Sequence, residues 1–129
     1  MSQSVASFYT NNRCADVKVE VGKFLFKIGL FANLKGFDYI LSAVGEVVED
    51  PSCLHSVTKT LYPKIAKNFN TTVCGVERNI RNAIEIAYNK GKFFEVANTY
   101  YGGNFSKYEK PTNSEFIAFI MSIVFLTNT

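Results

Sequence analysis

The sequence is poor in metal ligands. It has one histidine, His55, and three cysteines, Cys14, Cys53 and Cys74, which lie far apart and form no Cys-x-x-Cys pair. Structural zinc sites take four such ligands at short spacings, so we expect no metal and no cofactor. An odd number of scattered cysteines also speaks against a disulfide framework and favours a reduced, cytoplasmic compartment.

Long apolar runs and a leader peptide are also missing. The most apolar stretch, Phe116 to Leu126, has eleven residues, whereas a membrane-spanning helix needs about twenty. This stretch has no lysine or arginine, which a helix lying on a membrane surface would carry. The first residues lack the basic region and apolar run of a signal peptide. We therefore expect no membrane association and interpret the stretch as a buried helix.

Charge is scarce but unevenly placed. The net charge is +3, and charged residues make up 19% of the chain. Between positions 59 and 92, however, seven lysines and arginines face two glutamates. Such an excess suits binding to a polyanion, although a solvated helix face would explain it equally well.

The apolar spacing predicts an all-α fold of about six helices in one domain, residues 16–129, after a flexible tail, residues 1–15. Apolar residues from Val17 recur every three or four positions up to Gly29, although the alternation in residues 17–21, "VKVEV", would also suit a strand. Asn33 is placed to cap a second helix, which ends before Pro51.

The middle of the chain predicts a short helix from Ser52 that is interrupted at Tyr62-Pro63. Pro63 suits the first turn of the next helix because its missing N–H is not needed there. That next helix is predicted to bury Phe69.

Two more helices and a C-terminal one follow. A strong apolar stripe predicts a helix from Val73 to Asn89, ended by Gly91, and a short helix follows near Phe93. The spacing of Thr112 and Glu115 is that of a capping box at the start of the last helix.

The break before Val73 has the features of a helix-turn-helix, in which the second helix enters the major groove of DNA. Ala66 is small enough for the helices to cross closely, and Asn70 tolerates left-handed backbone angles. Thr71 and Thr72 can cap the second helix, leaving its first amides facing a phosphate. Val76 can pack that helix onto the first.

The exposed side of the 73–89 helix carries base-reading chemistry. Arginine can donate two hydrogen bonds to guanine, and glutamate can accept one from cytosine. The plainer alternative is that Glu77 and Arg81, four residues apart, form a surface ion pair. The residues that fall on this side are Cys74, Arg78, Arg81, Asn82 and Glu85, with Glu77 at its edge.

Longer strings of the sequence carry a family resemblance. "SVTKTLYPKIAKNFNTTVCGVERNIRNAIEIAYNKG", "KPTNSEFIAFI" and "IGLFANLKGFDYI" resemble the DNA-binding effector domain of the stage-zero sporulation protein A family of response regulators. The resemblance covers about Val21 to Ile120. It implies a six-helix fold that binds short DNA boxes on double-stranded DNA, often as tandem copies, and regulates transcription. Homodimers and RNA polymerase are the further partners we expect.

The resemblance also implies roles for single residues. Glu77, Arg78 and Arg81 match positions that read bases or grip phosphate, and Thr71, Thr72 and Cys74 match positions that meet the DNA backbone. Two positions depart from the family: Gly75 replaces an arginine, and Asn82 replaces a histidine. The residues that we predict to bind DNA are Lys67, Thr71, Thr72, Cys74, Glu77, Arg78, Arg81 and Asn82.

The resemblance leaves a second function open. Nothing in the chain resembles the receiver domain of the family, so we expect an isolated or stand-alone effector domain. A receiver-less interaction protein would pair with full-length regulators or RNA polymerase and bind DNA poorly; Gly75 and the uncharged last helix favour it. We predict no enzyme, since His55 stands alone, remote in sequence from any obvious nucleophile.

Overall fold

All regular structure that the computed structural model describes, in residues 13–101 and 110–127, is helical, which confirms the all-α prediction. A short 3-10 turn, Pro51–His55, and a π-helical turn, Val57–Leu61, connect the second helix to the third. The six α-helices are α1 (Arg13–Lys27), α2 (Lys35–Glu49), α3 (Tyr62–Asn68), α4 (Val73–Asn89), α5 (Lys92–Tyr101) and α6 (Asn113–Thr127).

The first helix starts earlier than its apolar stripe. It begins at Arg13, so the last three residues of the predicted tail, 13–15, are helical. The tail itself stays a prediction, because residues 1–12 lie outside the described part. Gly29 follows the helix with φ +92°, a conformation that glycine adopts without steric cost, as its predicted role as a helix stop requires.

The predicted cap of α2 is wrong. Leu34, not Asn33, occupies the N-cap position, and no side chain accepts a hydrogen bond there. The turn is held by backbone bonds instead: the Leu34 N–H donates to the Phe31 carbonyl, and the Phe37 N–H donates to the Leu34 carbonyl, both at 3.1 Å. Leu34 also packs against the core, whereas Asn33 is exposed, so apolar burial sets the start of this helix.

Pro63 stands in the first turn of α3, as predicted, but the predicted break at Tyr62-Pro63 is wrong. The chain breaks earlier, at Ser56 with φ −145° and ψ 56°, and is then helical from Val57 through Leu61 into α3. Pro63 lacks an N–H and would crowd the carbonyl four residues before it in a regular helix. The wider π-helical turn directly before Pro63 relieves that conflict, which is why the proline continues this helix.

The core runs through all six helices, and α6 lies within it. Phe116, Ile117 and Ile120 are completely buried, which confirms the interpretation of the apolar stretch as a buried helix. Within the described ranges, no helix is long and apolar enough to cross a membrane. Phe69, which we predicted to be buried, is 42% exposed and lies with its ring centroid 5.1 Å from that of Tyr39.

Gly36 allows α2 and α4 to pack closely. A Cβ atom added to Gly36 would collide with the backbone carbonyl of Asn79 and lie 2.8 Å from the Cβ of Ala83. The first turn of α2 can approach the middle of α4 this closely because Gly36 has no side chain. This contact fixes the position of α4, the helix that carries most of the predicted DNA-binding residues.

Candidate nucleic-acid interface

The turn between α3 and α4 is a C-terminal capping motif of α3 that contains one residue in the left-handed conformation. Asn70 has φ +51°, as its predicted role requires. The Thr71 N–H donates to the Ala66 carbonyl at 2.9 Å, and the Asn70 N–H donates to the Lys67 carbonyl at 3.4 Å. These two bonds form a Schellman motif, which satisfies the last carbonyls of α3 and turns the chain sharply.

Thr72 caps the start of α4. Its Oγ1 accepts a hydrogen bond from the Gly75 N–H at 2.9 Å, while its own backbone is extended. Of the two threonines that we predicted as caps, Thr72 therefore takes the role, and Thr71 precedes it. The next amides, of Val73 and Cys74, have no acceptor inside the helix and stand at its positive end.

The inward face of α4 is the apolar stripe that predicted this helix. The buried apolar residues of this helix are Val76, Ile80, Ala83, Ile84 and Ala87. Val76 is completely buried, and Ala66 of α3 is 6% exposed, so small and β-branched residues fill the crossing of the two helices. The helix bounds, Val73 to Asn89, also agree with the prediction.

The outward face presents cations near the start of α4. Cys74, Arg78, Arg81 and Asn82 are exposed, and Glu77 is half-buried. The Arg81 Nη2 donates to Glu77 Oε1 at 2.7 Å, so the ion pair of the plainer interpretation is present. Such an exposed pair is worth about 0.2–0.5 kcal/mol, which leaves Arg81 available to a stronger acceptor. Within the described residues, Arg78 forms no ion pair.

Several cations of the basic segment are held elsewhere. Lys64 pairs with Asp50 at 3.7 Å, and the Lys90 Nζ donates to the Gly29 carbonyl at 2.7 Å. Lys67 is exposed at the end of α3, beside the turn. The structure therefore places Lys67 beside the predicted residues of α4 and removes Lys90 from the count of available cations, whereas the exposed pair of Lys64 is as weak as that of Arg81.

The first turn of α6 borders the same surface, which the sequence reasoning missed. A cleft of about 380 Å³ separates it from α4 and is lined by Glu77, Arg81, Lys110 and Asn113, among others. The Lys110 Nζ lies 3.5 Å from Glu85 Oε1 at its rim. The capping box was the one sequence signal near this contact. It predicted where α6 begins but not that the first turn of α6 contacts α4.

The predicted capping box itself is formed. The Thr112 N–H donates to Glu115 Oε1 at 2.9 Å, and the Glu115 N–H donates to Thr112 Oγ1 at 3.2 Å. Next to it, the Asn113 Nδ2 donates to Tyr62 Oη and to the Glu77 carbonyl, both at 3.1 Å. Burial raises the pKa of Tyr62, and the oxygen of its neutral hydroxyl accepts this bond.

Gly75 has a packing role at the start of α4. It is buried, and an added Cβ atom would lie 3.1 Å from the Oγ1 atoms of both Thr71 and Thr72. A side chain at position 75 would require these hydroxyls to move by a few tenths of an ångström. The glycine therefore lets two threonines close over the start of α4.

Nothing in the described part of the chain forms a metal centre. No three of its histidine, cysteine, aspartate and glutamate residues lie close enough together to hold an ion. Burial also raises the pKa of Cys53, so that thiol is less reactive than an ordinary one.

Two helices joined by a capped, left-handed turn, with exposed arginines on the second, define a helix-turn-helix domain of the DNA-binding class. The family described as sporulation initiation factor Spo0A C terminal matches residues 21–124. The chain belongs to this family, which confirms the resemblance carried by its sequence. It is thus a DNA-binding domain of the sporulation regulator type, and its family is one of regulators rather than enzymes.

Proposed function

We propose that the chain is a sequence-specific transcription regulator that reads a short DNA box through α4. Arg78 carries this proposal: it is exposed, lies just over one turn into α4, and forms no ion pair in the described residues. An arginine at this position of a helix in the major groove can reach the O6 and N7 atoms of guanine.

The neighbouring residues divide into base readers and backbone contacts. Arg81 lies about one turn further along the same side, and Glu77 directly precedes Arg78. Arg81 and Glu77 can exchange their mutual ion pair for guanine and cytosine. The remaining predicted residues stand where phosphates would pass the helix start, and the positive end of α4 adds to their attraction. These backbone contacts are Lys67, Thr71, Thr72 and Cys74, with Asn82 at the edge.

Further partners follow from DNA binding. A regulator of this type acts on the bacterial nucleoid in the cytoplasm, as tandem copies or a homodimer on adjacent boxes, and meets RNA polymerase there. The cations on either side of the turn, Lys67, Arg78 and Arg81, would steer it to DNA by charge, so affinity should fall steeply with salt.

The experiment is fluorescence anisotropy with a labelled duplex that carries the tandem box of the family, against a scrambled duplex, at two salt concentrations. We expect tight binding that prefers the box and weakens with salt, and we expect Arg78→Ala to abolish the preference. Equal, weak binding to both duplexes would contradict base reading of this box.

One observation favours the second candidate, an interaction protein. Phe26 and Phe31, in and after α1, are 51% and 57% exposed, with ring centroids 6.5 Å apart. Exposed aromatic pairs are typical of protein contact surfaces. One of the two sequence features that favour this candidate, the uncharged last helix, is weaker support because Phe116, Ile117 and Ile120 of that helix are buried in the core. Equal binding to both duplexes would favour this candidate.

A further inference from the structure

We infer that Asn113 is a positioning residue for DNA reading: it ties the first turn of α6 to α3 and to the base-reading turn of α4, and so sets the rotation of α4. This inference rests on the proposed function. Asn113 is 8% exposed, and its Nδ2 donates to Tyr62 Oη on α3 and to the Glu77 carbonyl on α4.

The hydrogen bond from Asn113 reaches α4 at the turn that carries the proposed base readers. In a helix the Glu77 carbonyl also accepts the N–H of residue 81, so Asn113 supplies its second hydrogen bond. Arg78 and Arg81 lie within four residues of that carbonyl. A tie at Glu77 therefore holds the turn from which the proposed base readers project.

A small rotation of α4 would be enough to disturb reading. A side chain ends about 6 Å from the helix axis, so a rotation by about 20° moves its tip by about 2 Å. A two-pronged hydrogen bond to a base tolerates much less displacement than that, whereas attraction to a phosphate depends weakly on such a shift. Loss of the tie should therefore reduce discrimination between sequences more than it reduces overall affinity.

The anchor on the other side is rigid. Asn113 follows Thr112, whose capping box with Glu115 fixes the start of α6. The same helix is sunk in the core through completely buried residues such as Phe116. The asparagine thus connects a fixed scaffold to the exposed reading helix, which is the geometry expected of a supporting contact for a binding site.

The decisive variant is Asn113→Asp, which keeps the shape of the side chain and replaces its N–H₂ donor by an acceptor. Its carboxylate lies in the first turn of α6, where the helix dipole favours it, so the fold should survive. Binding to the box and scrambled duplexes is measured by fluorescence anisotropy. The fraction of protein that can bind DNA is first determined by titration, so that the affinities of the variants can be compared. We expect the ratio of the two affinities to fall by about fivefold to tenfold, with scrambled binding unchanged within about twofold.

Two further variants separate positioning from packing. Tyr62→Phe removes one acceptor but leaves the Glu77 bond, so the affinity ratio should stay within about twofold. Ser122→Ala changes an exposed hydroxyl of α6 that bonds only to the Ala118 carbonyl among the described residues, and it should change nothing. A fall of box and scrambled binding by the same factor in Asn113→Asp would overturn the inference.

Amide hydrogen exchange gives a measurement that needs no DNA. In Asn113→Asp, the amide of Arg81 should exchange faster relative to that of Ala87, two turns further along α4. Equal acceleration at both amides would mean a general loss of stability and would overturn the positioning role. If the unaltered protein shows no preference for the box, the proposed function fails, and the exchange result alone then decides on Asn113.

Discussion

The two ends of α4 carry the same kind of charge and use it differently. At the C-terminal end, the Lys90 ammonium donates to the Gly29 carbonyl at 2.7 Å and lies 5.1 Å from the centroid of the Phe31 ring. At the N-terminal end, Arg78 is exposed and forms no ion pair in the described residues. One end fastens the helix to the turn between α1 and α2, and the other presents cations to solvent.

This difference shows why a count of cations overstates a binding surface. The basic segment contains seven lysines and arginines, yet Lys64, Arg81 and Lys90 already have partners. Arg81 has a weak partner on an exposed surface, whereas Lys90 fills the space beside a left-handed glycine, Gly29. Position relative to the helix-turn-helix, rather than total charge, separates structural cations from the candidates for DNA binding.

The largest expected effect comes from disrupting the close contact between α2 and the middle of α4. Gly36→Ala should destabilise the protein by about 1–3 kcal/mol, because its Cβ would collide with the Asn79 carbonyl. The matched control is Gly22→Ala in α1, where nothing lies within 4 Å of an added Cβ and where alanine should gain about 0.5–1 kcal/mol. Urea unfolding measures both, and equal changes would refute the close contact of α2 and α4.

The second prediction compares one substitution at each end of α4, with opposite expected effects on DNA affinity and on stability. Arg78→Ala should lower box affinity by about 1–3 kcal/mol and leave the free energy of unfolding within about 0.5 kcal/mol. Lys90→Ala should do the reverse, losing about 1 kcal/mol of stability while box affinity stays within about twofold. Anisotropy and urea unfolding on the same samples test this, and a drop in box affinity for Lys90→Ala would contradict the division between the ends.

A smaller effect tests the start of α4. Thr72→Ala removes the cap that accepts the Gly75 N–H and should cost about 1 kcal/mol of stability. Thr71→Ala, one residue earlier, removes a hydroxyl that does not cap the helix and should cost about 0.5 kcal/mol or less. Thermal unfolding of the two variants decides; a larger loss for Thr71→Ala would mean that the cap is assigned to the wrong threonine.

The smallest stability effects concern two exposed ion pairs beside the cleft. Glu77→Gln and Glu85→Gln weaken the pairs with Arg81 and Lys110, and each should change stability by less than about 0.5 kcal/mol. They should differ on DNA: Glu77→Gln should reduce the preference for the box, while Glu85→Gln should raise affinity for both duplexes alike by removing a negative charge. If both variants behave alike, Glu77 does not read a base.

The local features of the candidate site could be predicted because short-range rules govern them. Asn70 in a left-handed turn, the bounds of α4 and the capping box of Thr112 and Glu115 each depend on neighbours within a few residues. Where tertiary packing competes with a local rule, prediction failed. Packing of the half-buried Leu34 set the start of α2 despite Asn33, and the helical chain continued from a π-helical turn through Pro63.

The supporting contacts of the site could not be predicted from the sequence because they, too, depend on tertiary packing. Asn113 meets Tyr62 and Glu77 across 51 and 36 residues, and Lys90 meets Gly29 across 61. No periodicity reports such pairs, because they arise from how the helices cross. The residues proposed to touch DNA were found from local pattern and family resemblance, whereas the residues that hold them in place required the structure.

The most direct test of the account is labelling of the three cysteines with iodoacetamide, read by mass spectrometry, with and without saturating DNA. Cys74 is exposed at the start of α4, Cys14 is half-buried, and Cys53 is buried with a raised pKa. The account predicts that the box duplex slows labelling of Cys74 by about tenfold or more, while labelling of Cys14 stays unchanged. Labelling of Cys74 at the same rate in the DNA-bound protein would contradict the placement of DNA on the N-terminal end of α4.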